Sequence, residues 1–113
     1  MRNENLYLED ISSACRSISD FVAGLSKEVF LETDLVQSAV IQKFTVIGEA
    51  ASRIGDKICD EHPEIDWKTL ISFRNFLVHV YFQRVWEATL EVDSLREHID
   101  TILQFRNRIA EDR

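Results

Sequence analysis

Arg74, Asn75, His79 and Tyr81 stand inside an otherwise apolar stretch, Ser72–Arg84 (SFRNFLVHVYFQR), and nowhere else does the chain mix so much chemistry with so much hydrophobicity. An arginine can hold a phosphate together with the extra negative charge of its transition state, and a histidine titrating near neutrality can take or give a proton. The reaction suited to that pair is metal-free cleavage of RNA. Histidine would deprotonate a ribose 2′-hydroxyl or protonate the departing 5′-oxygen, while arginine stabilises the phosphate between them. Each chain offers one suitable histidine, so catalysis by a histidine acid and a histidine base would need two chains.

Leu70, Phe73, Leu77 and Val80 have the spacing of a core-facing stripe, which predicts a helix carrying the whole group. On a straight α-helix Asn75 and His79 share a face, about 40° apart and one turn along, so Asn75 could fix the histidine ring. Arg74 and Tyr81 also share a face, about 10 Å apart, whereas Arg74 and His79 diverge by about 140°. Either the long arginine bends around, or two copies of the helix meet across a twofold axis and share a cleft. The plainer alternative is that His79 and Tyr81 are hydrogen-bonded core or interface residues of a helix that only packs.

The elements that must hold this stretch are also helical. Leu8, Ile11, Ala14, Ile18, Phe21 and Val22 predict a first helix over about 8–23 that Gly24 stops. Phe30 then tucks a short connection against the core. Thr33 and Asp34 are N-cap candidates for a long second helix reaching about Asp60, with a seam of Val40, Phe44, Ile47, Ala51, Ile54 and Ile58. Gly48 inside it costs about 1 kcal/mol relative to alanine, which implies close approach of a neighbouring helix. Glu49 beside it reads as a solvated or ion-paired carboxylate. His62 and Pro63 end that helix, and Asp66 caps the third. Val85, Trp86, Leu90, Leu95, Ile99, Ile102, Phe105 and Ile109 continue the apolar pattern. Ser94 and Glu97 have the form of a capping box, placing a break near Val92–Asp93.

Composition agrees with a single helical domain over residues 1–113. Three glycines and one proline in 113 residues leave few tight turns, while 45% hydrophobic and 29% charged residues describe an ordinary globular chain. The net charge of −7 argues against general nucleic-acid affinity and leaves room only for a local basic site. Cys15 and Cys59 match no metal or redox spacing and read as small buried hydrophobes in a reducing compartment; His98 has no ligand partners at metal spacing. No cofactor or metal is expected. No membrane span or secretory leader is evident, so the expected location is the cytoplasm.

Arg74-Asn75-Phe76-Leu77-Val78-His79-Val80-Tyr81, an R-x4-H-x-Y pattern with a polar residue after the arginine, resembles the signature of HEPN-domain toxins of the HepT type. Ile47-Gly48-Glu49-Ala50, the PEIDW approach (Pro63–Trp67) and Val85-Trp86 follow that family in the same order, so the likeness covers most of the chain from about Val36. Gln83 and Arg84 depart from the more acidic turn expected after the motif. The resemblance implies an antiparallel HEPN bundle of four to five helices, homodimeric, with metal-independent endoribonuclease activity in the cleft between subunits. It makes Arg74 and His79 catalytic and Asn75 supporting. It also implies a type VII-like toxin–antitoxin pair, in which a minimal nucleotidyltransferase (MNT-type) antitoxin transfers AMP to Tyr81. The alternative from another class is a noncatalytic helical subunit that binds a nucleotidyltransferase through the same patch.

Overall fold

In the computed structural model, which describes residues 3–77 and 81–111 with the backbone alone at 76 and 77, three long helices form the frame. These are α1 (Glu4–Val22), α3 (Asp34–Ser52) and α7 (Val92–Glu111). Shorter helices fill the connections: α2 (Lys27–Leu31), α4 (Asp56–Glu61), α5 (Trp67–Ser72) and α6 (Phe82–Thr89), with a 3₁₀ helix over Phe73–Leu77. No strand occurs among the described residues, so the all-α class expected from composition holds.

α1 packs against both α3 and α7. Leu8, Ile11, Ala14, Cys15 and Ile18 are its buried face, and they meet the α3 seam and Ile99, Ile102 and Leu103 of α7 in one apolar cluster. Two polar ties fix the pairing of α1 with α7: the Ser12 hydroxyl donates to Asp100 Oδ1 at 2.5 Å, and Arg106 Nε donates to Asn5 Oδ1 at 2.5 Å. Gly24 takes a positive φ of 76° just past α1, a conformation that glycine adopts without strain. Phe30 on α2 is fully buried, with its ring 5.3 Å from Trp86 of α6. The buried Gln37 side-chain amide donates to the Phe30 carbonyl at 3.0 Å, so this polar group is paired where water does not reach it.

The expected long second helix is two helices. α3 stops at Ser52, Arg53–Gly55 makes a short interruption, and α4 begins at Asp56. Gly55 caps α4, and its N–H donates to Glu4 Oε2 at 2.7 Å, a bond that an uninterrupted helix would not leave available. The seam survives because the interruption is tight: Ile54 N–H bonds back to Ala51, and Ile54 and Ile58 stay buried. Thr33 does occupy the N-cap of α3, yet its hydroxyl donates to the Val29 carbonyl at 2.6 Å and makes no cap bond.

The last helix does break, between Thr89 and Val92, but not through a capping box. Ser94 already lies inside α7, and the Leu95 N–H bonds to the Glu91 carbonyl. Leu90, Phe105 and Ile109, which continue the apolar pattern of the sequence, are exposed. No helix among the described residues is long and apolar enough to cross a membrane.

Candidate active site

The third helix does not run through the motif as an α-helix. Asp66 caps α5 by accepting from the Thr69 N–H at 3.1 Å and the Thr69 hydroxyl at 2.7 Å, and these bonds hold its carboxyl below the usual aspartate range. α5 ends at Ser72, Phe73–Leu77 tightens into the 3₁₀ helix, and Tyr81 is extended (φ −115°, ψ 94°) as the N-cap of α6. A 3₁₀ helix turns about 120° per residue, so the angles calculated for a straight α-helix do not apply to this motif. Arg74 and Asn75 are exposed residues of the 3₁₀ helix. Tyr81 is 63% exposed. His79 lies outside the described residues, as does Val80; Leu70 and Phe73 occupy the core positions expected of them, Phe73 edge-on to Phe44 at 4.7 Å.

α3 is what positions Arg74. A Cβ placed on Gly48 would lie 2.8 Å from Arg74 Cγ, 2.9 Å from Arg74 N and 3.0 Å from the Leu70 carbonyl oxygen. The glycine is thus the point where the motif backbone rests on α3, the close approach its presence inside a helix implies. One residue on, Glu49 Oε1 stands 3.7 Å from Arg74 Nη1. Both side chains stay in contact with water, the arginine 44% exposed and the glutamate 54%. The guanidinium is therefore presented at the surface with its root immobilised, which suits recognition of a phosphate brought from solution. The sequence marked Gly48 as a contact point without revealing that Arg74 is what it contacts; the signal was a glycine followed by a carboxylate inside an apolar helix.

Glu49 also borders a shallow depression of about 430 Å³ with Tyr7, Asp10, Thr45 and Arg53. A larger groove of about 550 Å³ lies between α5 and the α6–α7 corner, floored by Phe44, Ile65, Leu70 and Phe73. Its charged rim is mostly acidic, with Glu64, Asp66, Glu87 and Glu91 against Arg84 and His98. The Glu64 carboxyl is held below its ordinary range chiefly by its backbone hydrogen bond, then by His62 at 3.1 Å, so this rim is negatively charged near neutrality and repels a phosphate chain. Arg74 and Tyr81 do not line it. Cys15 is sealed in the core, where burial first and then Asp100 push its thiol up to about 12; it is no nucleophile at neutral pH. Among the described residues no cluster of three or more His, Cys, Asp or Glu side chains could hold a metal ion.

An all-α bundle that presents an arginine and a tyrosine from a break between helices defines a class, and comparison with known proteins identifies it. The family described as "Ribonuclease HepT-like" matches residues 11–109, and the chain belongs to it; the enzyme class is that of an endoribonuclease. The "Probable ribonuclease HepT" of Thermococcus cleftensis is 38% identical over 81 residues, which cover 72% of this chain and 74% of that protein. A Methanocaldococcus jannaschii protein with a provisional RNase name (MJ0125) is 32% identical over 108 residues, covering 91% of this chain and 93% of its own. Another from Caldanaerobacter subterraneus subsp. tengcongensis (TTE0752) is 29% identical over 109 residues, 92% of this chain and 97% of its own. No solved structure gives a significant match.

Proposed function

We propose that this single-domain chain is the metal-independent ribonuclease toxin of a toxin–antitoxin pair, and that it cuts RNA with Arg74 and His79 in a cleft shared by two subunits. Arg74 binds the scissile phosphate and the charge that grows on it. His79 moves the proton, taking it from the 2′-hydroxyl as that oxygen attacks phosphorus, or returning one to the 5′-oxygen as the P–O bond breaks. The products are a 2′,3′-cyclic phosphate and a free 5′-hydroxyl. Asn75 supports the pair. The observation that carries this reading is the presentation of Arg74, rooted on Gly48 with its guanidinium still open to solvent, in a chain of ribonuclease family.

The partner is a minimal nucleotidyltransferase antitoxin that transfers AMP to Tyr81. The 63% exposure of Tyr81 supports that role, because its hydroxyl must enter another enzyme's site. A nucleotide there adds negative charge and bulk where RNA phosphate would approach, which is enough to block cleavage.

The test is cleavage of single-stranded RNA by the purified chain in EDTA, with the ends identified. Cyclic phosphate ends, and loss of cleavage in Arg74→Ala and His79→Ala at unchanged helical content, are expected; full activity in both variants refutes the assignment. Co-expression with the nucleotidyltransferase should add the mass of AMP to the wild-type chain and none to Tyr81→Phe. If the chain proves inactive alone yet binds the nucleotidyltransferase through Arg74 and Tyr81, it is the noncatalytic subunit instead.

A further inference from the structure

We propose that Glu49 is a positioning residue for Arg74, holding one end of its guanidinium so that the rest of the fork faces the RNA phosphate; the inference rests on the phosphate-binding role given to Arg74 above. Two adjacent residues of α3 carry it. At Gly48 the Arg74 backbone and Cγ lie where a side chain of α3 would stand, so the root of the arginine packs directly on the helix. At Glu49 a carboxylate oxygen stands 3.7 Å from Nη1, so the far end of the same side chain has a charge partner as well. One stretch of helix thus restrains both ends of a side chain that would otherwise sample many rotamers.

The geometry is that of a guide rather than a sealed ion pair. At 3.7 Å the contact is longer than a good hydrogen bond and engages one terminal nitrogen of a group with five N–H donors. Phosphate recognition needs two parallel donors, and a guanidinium held at one corner still has an edge to offer. The solvent exposure of both partners means that the pair adds little to fold stability. Its charge, taken alone, works against the reaction, since a carboxylate beside the phosphate site repels RNA. Positioning and simple repulsion therefore predict opposite changes when Glu49 is removed.

Steady-state cleavage of a single-stranded RNA oligonucleotide by the full chain separates them. Misplacing a binding group by about 1 Å can reduce a rate by as much as about a hundredfold, so Glu49→Ala should lower kcat by at least about tenfold. KM should stay level or fall, and the thermal midpoint should not move. Glu49→Gln keeps the length and an acceptor oxygen and should retain more kcat than Glu49→Ala. In an Arg74→Ala background, Glu49→Ala should change nothing further. Wild-type kcat in Glu49→Ala, alone or with a lower KM, overturns the inference while leaving Arg74 in place if Arg74→Ala is dead. A lowered thermal midpoint, with Glu49→Gln as impaired as Glu49→Ala, also overturns it in favour of a structural role. Cleavage by Arg74→Ala at the wild-type rate, or none by the wild-type chain, sinks the reading of Arg74 itself and this inference with it.

Discussion

Gly48→Ala sets two physical effects against each other at the residue on which the motif rests. Helix propensity alone favours alanine by about 1 kcal/mol inside α3. Packing opposes it. The new Cβ would meet Arg74 N at 2.9 Å and the Leu70 carbonyl oxygen at 3.0 Å, where ordinary contact begins at 3.4 Å, so α5 and the 3₁₀ helix must retreat by about 0.5 Å (3.4 less 2.9). Both obstacles are main chain, and neither can rotate away as the end of a side chain would. Overpacking of this kind costs about 1–3 kcal/mol, which leaves a net loss of about 0–2 kcal/mol once the propensity gain is subtracted. With a shift of roughly 4 °C per kcal/mol for a domain of this size, the thermal midpoint should fall by up to about 8 °C. Activity should suffer more than stability, by about tenfold or more, because the displaced atoms are those that aim Arg74. Circular dichroism melts and RNA cleavage on the same preparation give both numbers. A higher melting temperature with undiminished cleavage would show that propensity governs Gly48, and that the close approach to Arg74 has no consequence.

Two further outcomes follow from the titrating groups. The Cys15 thiol, ordinarily near 9, is pushed to about 12 by burial, so the folded chain keeps its proton while the unfolded chain loses it. Stability is whole below pH 9 and declines between pH 9 and 12, by about 1 kcal/mol at pH 10; urea melts of Cys15→Ala should lack that alkaline decline. Asp66 has the opposite sign: its carboxyl is depressed by Thr69, so its contribution is present above the ordinary aspartate range and disappears as pH falls through and below it. Asp66→Ala should cost about 1 kcal/mol at neutral pH and nearly nothing in acid, measured by denaturant melts at the two pH values.

The seam of α3, the capping role of Asp66 and the burial of Phe30 were legible because each depends on local spacing or local chemistry. The 3₁₀ segment was not, because its apolar positions fit an α-helix equally well and local spacing does not distinguish the tighter turn. Gly55 hid for a related reason: a brief interruption with Ile54 bonded back to Ala51 keeps Ile58 facing the core, so the pattern passes through it unchanged. Ser94 and Glu97 matched a cap in form, but Val92 is already helical and the Leu95 N–H already paired. Leu90, Phe105 and Ile109 show the limit of periodicity: spacing places a residue on a face, but not every part of that face has a neighbour to cover it.

The 3₁₀ helix also changes the reasoning for a shared cleft. A divergence of about 140° between Arg74 and His79 on a straight α-helix favours two subunits, but the motif tightens at Phe73 and is extended at Tyr81, so that divergence no longer applies. The histidine count still favours two subunits: each chain supplies one motif histidine, and cleavage needs both a proton acceptor and a proton donor. Mixing wild-type chain with His79→Ala tests it without reference to helix geometry. A mixed dimer keeps only one motif histidine, so a cleft that needs a histidine from each subunit is inactive there. If the cleft is shared, unfolding and refolding equal amounts of the two chains together should leave about a quarter of the rate of the same total of wild-type chain, since only about a quarter of randomly formed dimers carry both histidines. If each subunit works alone, about half of that rate remains, and the twofold cleft is refuted even if the chain proves dimeric.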